Sequence, residues 1–139
     1  MRQYYANPNN HFWFIMDELF GAGPGLSYQQ RLARLRSAGV ALWDVLESAE
    51  REGSADAAIV AASARPNNFR AFLASHKTLR CIFFNGEAAE KWFHKLVVPD
   101  LGADVSRLLL KRLPSTSPTN ARLSREAKLR EWKIIKRSL

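Results

Sequence analysis

Three short stretches of this 139-residue chain concentrate the side chains that could do chemistry. QYYANPNNHFW, Gln3 to Trp13, sets two tyrosines and three asparagines around a proline, directly before an apolar run. LRCIFFNG ends on Asn85-Gly86, and LPSTSPTNA, Leu113 to Ala121, places small hydroxyls between two prolines. Ordering a polar segment costs about 1–2 kcal/mol of backbone entropy per residue, so such segments are held in place for a reason. Their groups offer hydrogen bonding, ring stacking and, in the hydroxyls and backbone N–H groups of the Ser-Thr stretch, contact to phosphate.

Other chemistries lack their residues. His11, His76 and His94 are scattered with no ligand spacing and no partner cysteines, which predicts no metal site. No Gly-x-Ser-x-Gly or Walker pattern occurs. EGSAD, Glu52 to Asp56, brings two acids and a serine together, but nothing near it completes a triad, and it reads as a loop. Cys81 is the one cysteine, so no internal disulfide forms, and it reads as a small buried apolar residue.

The net charge of +8 is unevenly placed. From Lys111 onward nine basic residues face only Glu126 and Glu131, whereas the first 110 residues are nearly neutral. A positive field concentrated on one segment favours a polyanion such as nucleic acid; a solvated basic helix is the plain alternative. No apolar run approaches a bilayer-spanning length, and the start lacks the pattern of a signal peptide, so a cytoplasmic protein is expected. At 47% hydrophobic residues and 11% aromatics, one globular domain over 1–139 is expected.

The elements that must hold these residues follow from periodicity and caps. Asn7 before Pro8 reads as an N-cap with proline at the first helical position. The helix behind it puts Phe12, Ile15, Met16, Leu19 and Phe20 on one face and stops at Gly21. GAGPGL is a loop, and Ser27 with Gln30 opens a second helix as a capping box, with Leu32 and Leu35 inward and Gly39 closing it. Val40–Leu46 reads as a buried strand, with a helical turn as the alternative, Asn68–Ser75 as a short helix and Leu79–Phe84 as the clearest strand. Glu87–Leu96 follows as a helix packing Trp92, Phe93 and Leu96, then Val105–Leu113 as a strand running into the Ser-Thr stretch. A last helix from Ser124 is expected to bury Leu129, Trp132, Ile135 and Leu139 and to turn its lysines and arginines outward. Strands alternating with helices predict a parallel sheet covered on both faces. Ligands of such sheets bind beyond the carboxyl ends of the strands, where Asn85-Gly86 and the Ser-Thr stretch lie.

QYYANPNNHFW, GVALWDVLESAEREGSADAAI, IFFNG and LPSTSPTNA, in this order and spacing, together resemble the hypoxanthine-DNA (deoxyinosine) glycosylase family of the uracil-DNA glycosylase superfamily. The likeness runs from Gln3 to about Ala121. It implies an α/β fold, three-layer α/β/α with a short parallel sheet, and hydrolysis of the N-glycosidic bond of deaminated bases in DNA. Hypoxanthine is the expected base, with uracil as a second candidate, and no metal or organic cofactor is implied.

Residue by residue, the resemblance casts Tyr5 as the ring that stacks on an extruded base and Asn85 as the amide that reads its edge. Hypoxanthine differs from adenine by an acceptor in place of an amino donor and by a ring N–H, and an amide can match that edge. Asn10 is the catalytic candidate, orienting water toward the sugar C1′ or hydrogen-bonding the departing base; an oxocarbenium-like transition state needs positioning more than a strong base. Ser115, Thr116 and Ser117 are expected to grip the DNA strand, with Arg122 and Lys128 of the basic segment adding salt-sensitive affinity.

The family begins with a central strand and a Gly-Ser-Phe-Pro-Ser-like loop ahead of the Tyr-Tyr segment, whereas this chain starts at Met1. Either the true start lies further upstream, or the domain is shortened at its N-terminus and lacks that strand; a monomer is the default. GAGPGLS resembles a Gly-x-x-Pro-Gly motif of related glycosylases but lies on the wrong side of the asparagines and reads as a chance loop. Two other functions compete: a catalytically inactive, truncated relative that only binds DNA, and a structural domain whose charge aids solubility.

Overall fold

A computed structural model describes residues 3–48 and 63–139, in two compact units. One unit comprises the chain up to Leu42 together with Leu113–Leu139, the other Trp43–Arg112. The Glu52–Asp56 stretch lies outside the described residues.

In the first unit, α1 spans Phe12–Phe20 and starts four residues later than Pro8 predicts. The asparagines delay it. Asn7 Oδ1 accepts the N–H of Asn9 at 2.9 Å, and Asn10 Oδ1 accepts that of Phe12 at 2.9 Å, so side chains close turns that compete with the helix. His11, not Asn7, stands at the N-cap. The expected apolar face is buried at Phe12, Ile15, Met16 and Leu19, and Trp13 joins it. Gly21, at φ 69°, supplies the left-handed turn that ends the helix. Helix α2, Tyr28–Ala38, has both bonds of the Ser27–Gln30 capping box, buries Leu35 and half-buries Leu32.

Helix α6 (Arg125–Trp132) is capped by Ser124, whose side chain accepts the Ala127 N–H at 3.1 Å, and α7 (Ile134–Arg137) follows. Trp132 and Ile135 are buried as expected, but two expectations fail. Leu139 is 62% exposed, and Lys128 is not turned outward: it is wholly buried, at 0% exposure. Lys128 lies one helical turn ahead of Trp132, at the i, i+4 spacing, and so falls on the same inward side.

In the second unit, β1 (Leu46–Ser48) pairs antiparallel with β2 (Arg65–Pro66). The predicted strand at Val40–Leu46 is therefore misplaced: only its last residue is extended, and residues 40–44 are irregular. Their apolar groups pack without a ladder, as Trp43 does against Phe69 and Phe72 at 4.8 and 5.1 Å. Helix α3 (Phe69–Ser75) has Asn68 as its cap, and β3 (Cys81–Asn85) matches the clearest predicted strand within two residues. Cys81 is half-buried rather than fully buried.

Helix α4 (Glu87–Trp92) runs on through a π-turn, Phe93–Val97, into α5 (Val98–Leu101), so the predicted end at Leu96 is early. Pro99 has no N–H for the carbonyl of Lys95, and the wider turn absorbs that misfit. A 3₁₀ segment, Gly102–Arg107, takes the first residues of the predicted Val105–Leu113 strand, leaving β4 as Leu109–Leu113. β3 and β4 form a short parallel sheet, the arrangement that alternating strands and helices predict. The core of this unit gathers Phe69, Leu73, Phe84, Phe93, Val97 and Leu101.

Candidate active site

The first unit joins two of the three polar stretches. The N–H of His11 donates to the carbonyl of Thr116 at 2.9 Å, which fixes the asparagine-rich turn against the Ser-Thr loop. From α6, Trp132 Nε1 donates to Pro114 O at 2.9 Å and Lys128 Nζ to Ser117 O at 3.2 Å, so one helix holds both ends of PSTS. The edge of Trp132 also meets Phe12, with ring centroids 5.9 Å apart.

The tyrosine segment is clamped as firmly. Tyr4 N–H donates to Tyr28 Oη at 3.0 Å, and Tyr4 O accepts from Trp13 Nε1 at 3.0 Å. Tyr5 is then forced to φ 56°, the only non-glycine residue at positive φ among those described, and its ring stacks on Phe12 at 4.1 Å and 27°. A strained residue held by two side-chain clamps is over-determined, as residues at ligand sites often are.

A cavity of 490 Å³ opens beside this segment. Tyr5, Asn10, Trp13, Asp17, Arg31 and Arg125 are among its lining residues. The amide of Asn10 has a defined orientation, because the Phe12 N–H can only be met by its oxygen; Nδ2 forms no bond among the described residues. Asn10 thus precedes the helix instead of sitting in its first turn, and it lines the cavity with its Nδ2 donor uncommitted. Arg125 lies over Phe14 at 4.3 Å and pairs with Glu126 at 3.1 Å.

The Ser-Thr loop differs from expectation in one residue. Thr116 is fully buried, so its side chain does not reach a bound strand in this arrangement. Ser115 and Ser117 are half-buried and shape the loop: Ser115 Oγ accepts the Ser117 N–H at 3.1 Å, and Ser117 Oγ accepts that of Thr119 at 3.2 Å. Ser115 keeps its own hydroxyl proton to donate. Arg122 is exposed, as a phosphate contact requires, whereas buried Lys128 supports the loop from behind. Asn85 ends β3 in the other unit, half-buried, beside Gly86 at φ 96°.

Electrostatics around the loop are set by burial. Desolvation lowers the pKa of Lys128. His11 is also pushed down, first by burial and then by the positive charges of Lys128 and Arg125, and its Nδ1 is buried with no partner. A neutral imidazole therefore backs the junction of the two stretches. The helix-dipole end here favours anions, and Glu126 is held below its usual range by its own backbone N–H and by Arg125.

No family model matches the chain. Individual proteins do. A hypoxanthine DNA glycosylase of Methanosarcina acetivorans is 31% identical over 135 residues, covering 96% of this chain and 79% of that protein. The chain belongs to the hypoxanthine-DNA glycosylase family. A second member, from Methanosarcina barkeri, is 31% identical over 91 residues, 65% of this chain and 56% of the relative. A solution NMR structure from M. acetivorans, provisionally assigned as a uracil DNA glycosylase, matches with a TM-score of 0.77 and 32% identity over 98% of this chain and 79% of its own. The hypoxanthine-DNA glycosylase resemblance and the α/β fold of the uracil-DNA glycosylase type, both expected from the sequence, are thereby borne out.

Within this family framework, sequence reasoning gave no site role to several wall residues, Trp13, Asp17, Arg31 and Arg125 among them. Asp17 and Trp13 lie on the α1 face next to the apolar one, at i and i+4, which is the signal that could have exposed them. Arg31 carried no such mark; its place depends on how α2 meets α1.

Proposed function

We propose that this chain is a monofunctional DNA glycosylase that hydrolyses the N-glycosidic bond of hypoxanthine in DNA. Its membership of a family of DNA glycosylases supports the reaction class, and the joining of the asparagine-rich turn to the Ser-Thr loop through His11 and Thr116 is the single structural observation that carries it. The extruded base enters the cavity and extends the stack that Tyr5 makes with Phe12, worth about 1–3 kcal/mol. As the C1′–N bond breaks, the sugar gains positive charge and the purine negative. Asn10 Nδ2–H hydrogen-bonds to the departing base, water adds to C1′ as the C1′–N bond breaks, and the proton that the water loses leaves on the base.

Between the two roles open to Asn10, the geometry favours this one: its oxygen is already bonded to the Phe12 N–H, so a donor is what remains. A fixed donor aimed at developing charge contributes about 10²–10³ in rate in comparable sites. Asn85 reads the Watson–Crick edge, where hypoxanthine shows an acceptor and an N–H. Ser115 and backbone N–H groups of the loop contact phosphate, with Arg122 and the exposed bases of α6 and α7 adding unspecific attraction. The protein acts as a monomer in the cytoplasm on DNA carrying deaminated bases.

Incubation with a duplex containing one hypoxanthine, followed by hot alkali, tests this reading. Strand scission at the hypoxanthine, absent from the adenine control, is expected. Retention of DNA without scission would instead favour an inactive DNA-binding relative.

A further inference from the structure

Arg31 lines the cavity, yet the mechanism leaves its chemistry unused. Its guanidinium carbon lies 4.6 Å from the Trp13 ring centroid and 5.5 Å from that of Tyr28, so two aromatic faces hold the fork in place. Both rings are themselves pinned by the Tyr4 backbone. Yet Nε is shut away from solvent with no acceptor, and the guanidinium makes no hydrogen bond or ion pair among the described residues. Sealed from solvent, Nε lies beyond a ligand's reach, so a partner in the cavity would meet the terminal Nη nitrogens of the fork.

The nearby charges say what that partner is. Asp17 shares the cavity wall with Arg31, but the two form no ion pair. A carboxylate on the same cavity wall disfavours a phosphate there, whereas it tolerates a neutral heterocycle. Arg125, by contrast, has a side chain that is 55% exposed and already paired with Glu126, which suits it to the DNA backbone.

We propose that Arg31 reads the O6/N7 edge of the extruded hypoxanthine. This inference rests on the glycosylase reading and names a specificity residue for it. Hypoxanthine presents two adjacent acceptors on that edge, the pair that arginine forks meet on guanine in DNA major grooves. Adenine keeps N7 but puts an amino donor in place of O6, so half of the fork is left facing a donor. Guanine shares the pair, and its exclusion falls to contacts at C2. Because N7 and O6 gain electron density as the glycosidic bond breaks, the fork also strengthens its hold in the transition state.

The test is binding of uncleaved duplexes. Duplexes carrying 2′-fluoro-deoxyinosine, in which the fluorine suppresses glycosidic cleavage, are compared with their 7-deaza counterparts and with undamaged DNA. Removing N7 should weaken wild-type binding about tenfold, the worth of half or more of a good bidentate pair. Arg31→Met, which keeps an unbranched stem on Trp13 and Tyr28, should bind the deoxyinosine duplex about tenfold more weakly and show no further loss with the 7-deaza base. An Arg31→Met variant weakened by the same factor on every duplex, undamaged included, would mark a phosphate contact and overturn the proposal. So would wild-type binding indifferent to N7, a result that needs no folded variant. If the wild type neither cleaves hypoxanthine DNA nor prefers the fluorinated duplex to undamaged DNA, the glycosylase reading falls with it; cleavage with indifference to N7 sinks the Arg31 assignment alone.

Discussion

Tyr5 sits at φ 56°, where a side chain costs about 1 kcal/mol relative to glycine. Ring and backbone can therefore be tested apart. Tyr5→Gly should relieve the strain while Tyr5→Ala keeps it, so the glycine variant melts higher than the alanine one. Both should lose affinity for hypoxanthine duplexes about ten- to hundredfold, because both lose the stacking ring. Melting curves and duplex titrations check the two effects separately. His11 offers a pH test. Its folded pKa lies below the usual 6.5, through burial first and Lys128 and Arg125 next, so the unfolded chain binds the proton more readily. Stability should then fall as pH drops through 6.5, and His11→Leu should flatten that part of the urea-denaturation profile. An equal fall in both proteins would count against it.

Among the elements, α6 does more than present charge. Trp132 holds Pro114 through its indole N–H and Phe12 through its ring edge. Trp132→Phe keeps the ring contact and should cost about 1 kcal/mol for the lost hydrogen bond; Trp132→Ala should cost about 3–5 kcal/mol. Chemical denaturation of the two variants measures the difference. This helix also shows what a sequence can and cannot reveal. Its Ser124 cap and its Trp132–Ile135 stripe were legible, since both follow from local rules. The burial of Lys128 was not: a lysine counts as exposed until a carbonyl such as Ser117 O is seen to meet it, and that contact spans eleven residues. The start of α1 was lost for the opposite reason, because Asn7 and Asn10 could cap a helix or close turns of their own, and only the tertiary setting chooses. Val40–Leu46 is apolar enough for a strand, yet a strand needs a neighbour, and the partner of its last residue sits at Pro66.

For the molecule as a whole, a charge of +8 with most of it from Lys111 onward predicts strongly salt-dependent association with DNA. Affinity for an undamaged duplex should decline log-linearly with salt, and Arg122→Ala should shallow the slope by about one phosphate contact. Lys128→Met should leave that slope unchanged, since a buried ammonium releases no counterion; fluorescence anisotropy across a salt series reads both. The α/β class, the parallel pairing of β3 with β4 and the family were all within reach of the sequence, because motif order and alternating periodicity encode them. The rest of the cavity wall, beyond Tyr5 and Asn10, was not. Trp13, Asp17 and Arg31 come from two helices, and no spacing along one chain segment records how two helices meet.

The most direct measurement is single-turnover excision of hypoxanthine by Asn10→Asp. Aspartate keeps an oxygen for the Phe12 N–H, so α1 starts as before, but it has no amide N–H to hydrogen-bond the departing base. Excision should drop by about 10²–10³ while affinity for an uncleavable duplex stays within a few-fold. An aspartate variant that cleaves as fast as the wild type would show that Asn10 serves water through its oxygen, or serves nothing, and would contradict the assignment of this cavity as the site where the base is lost.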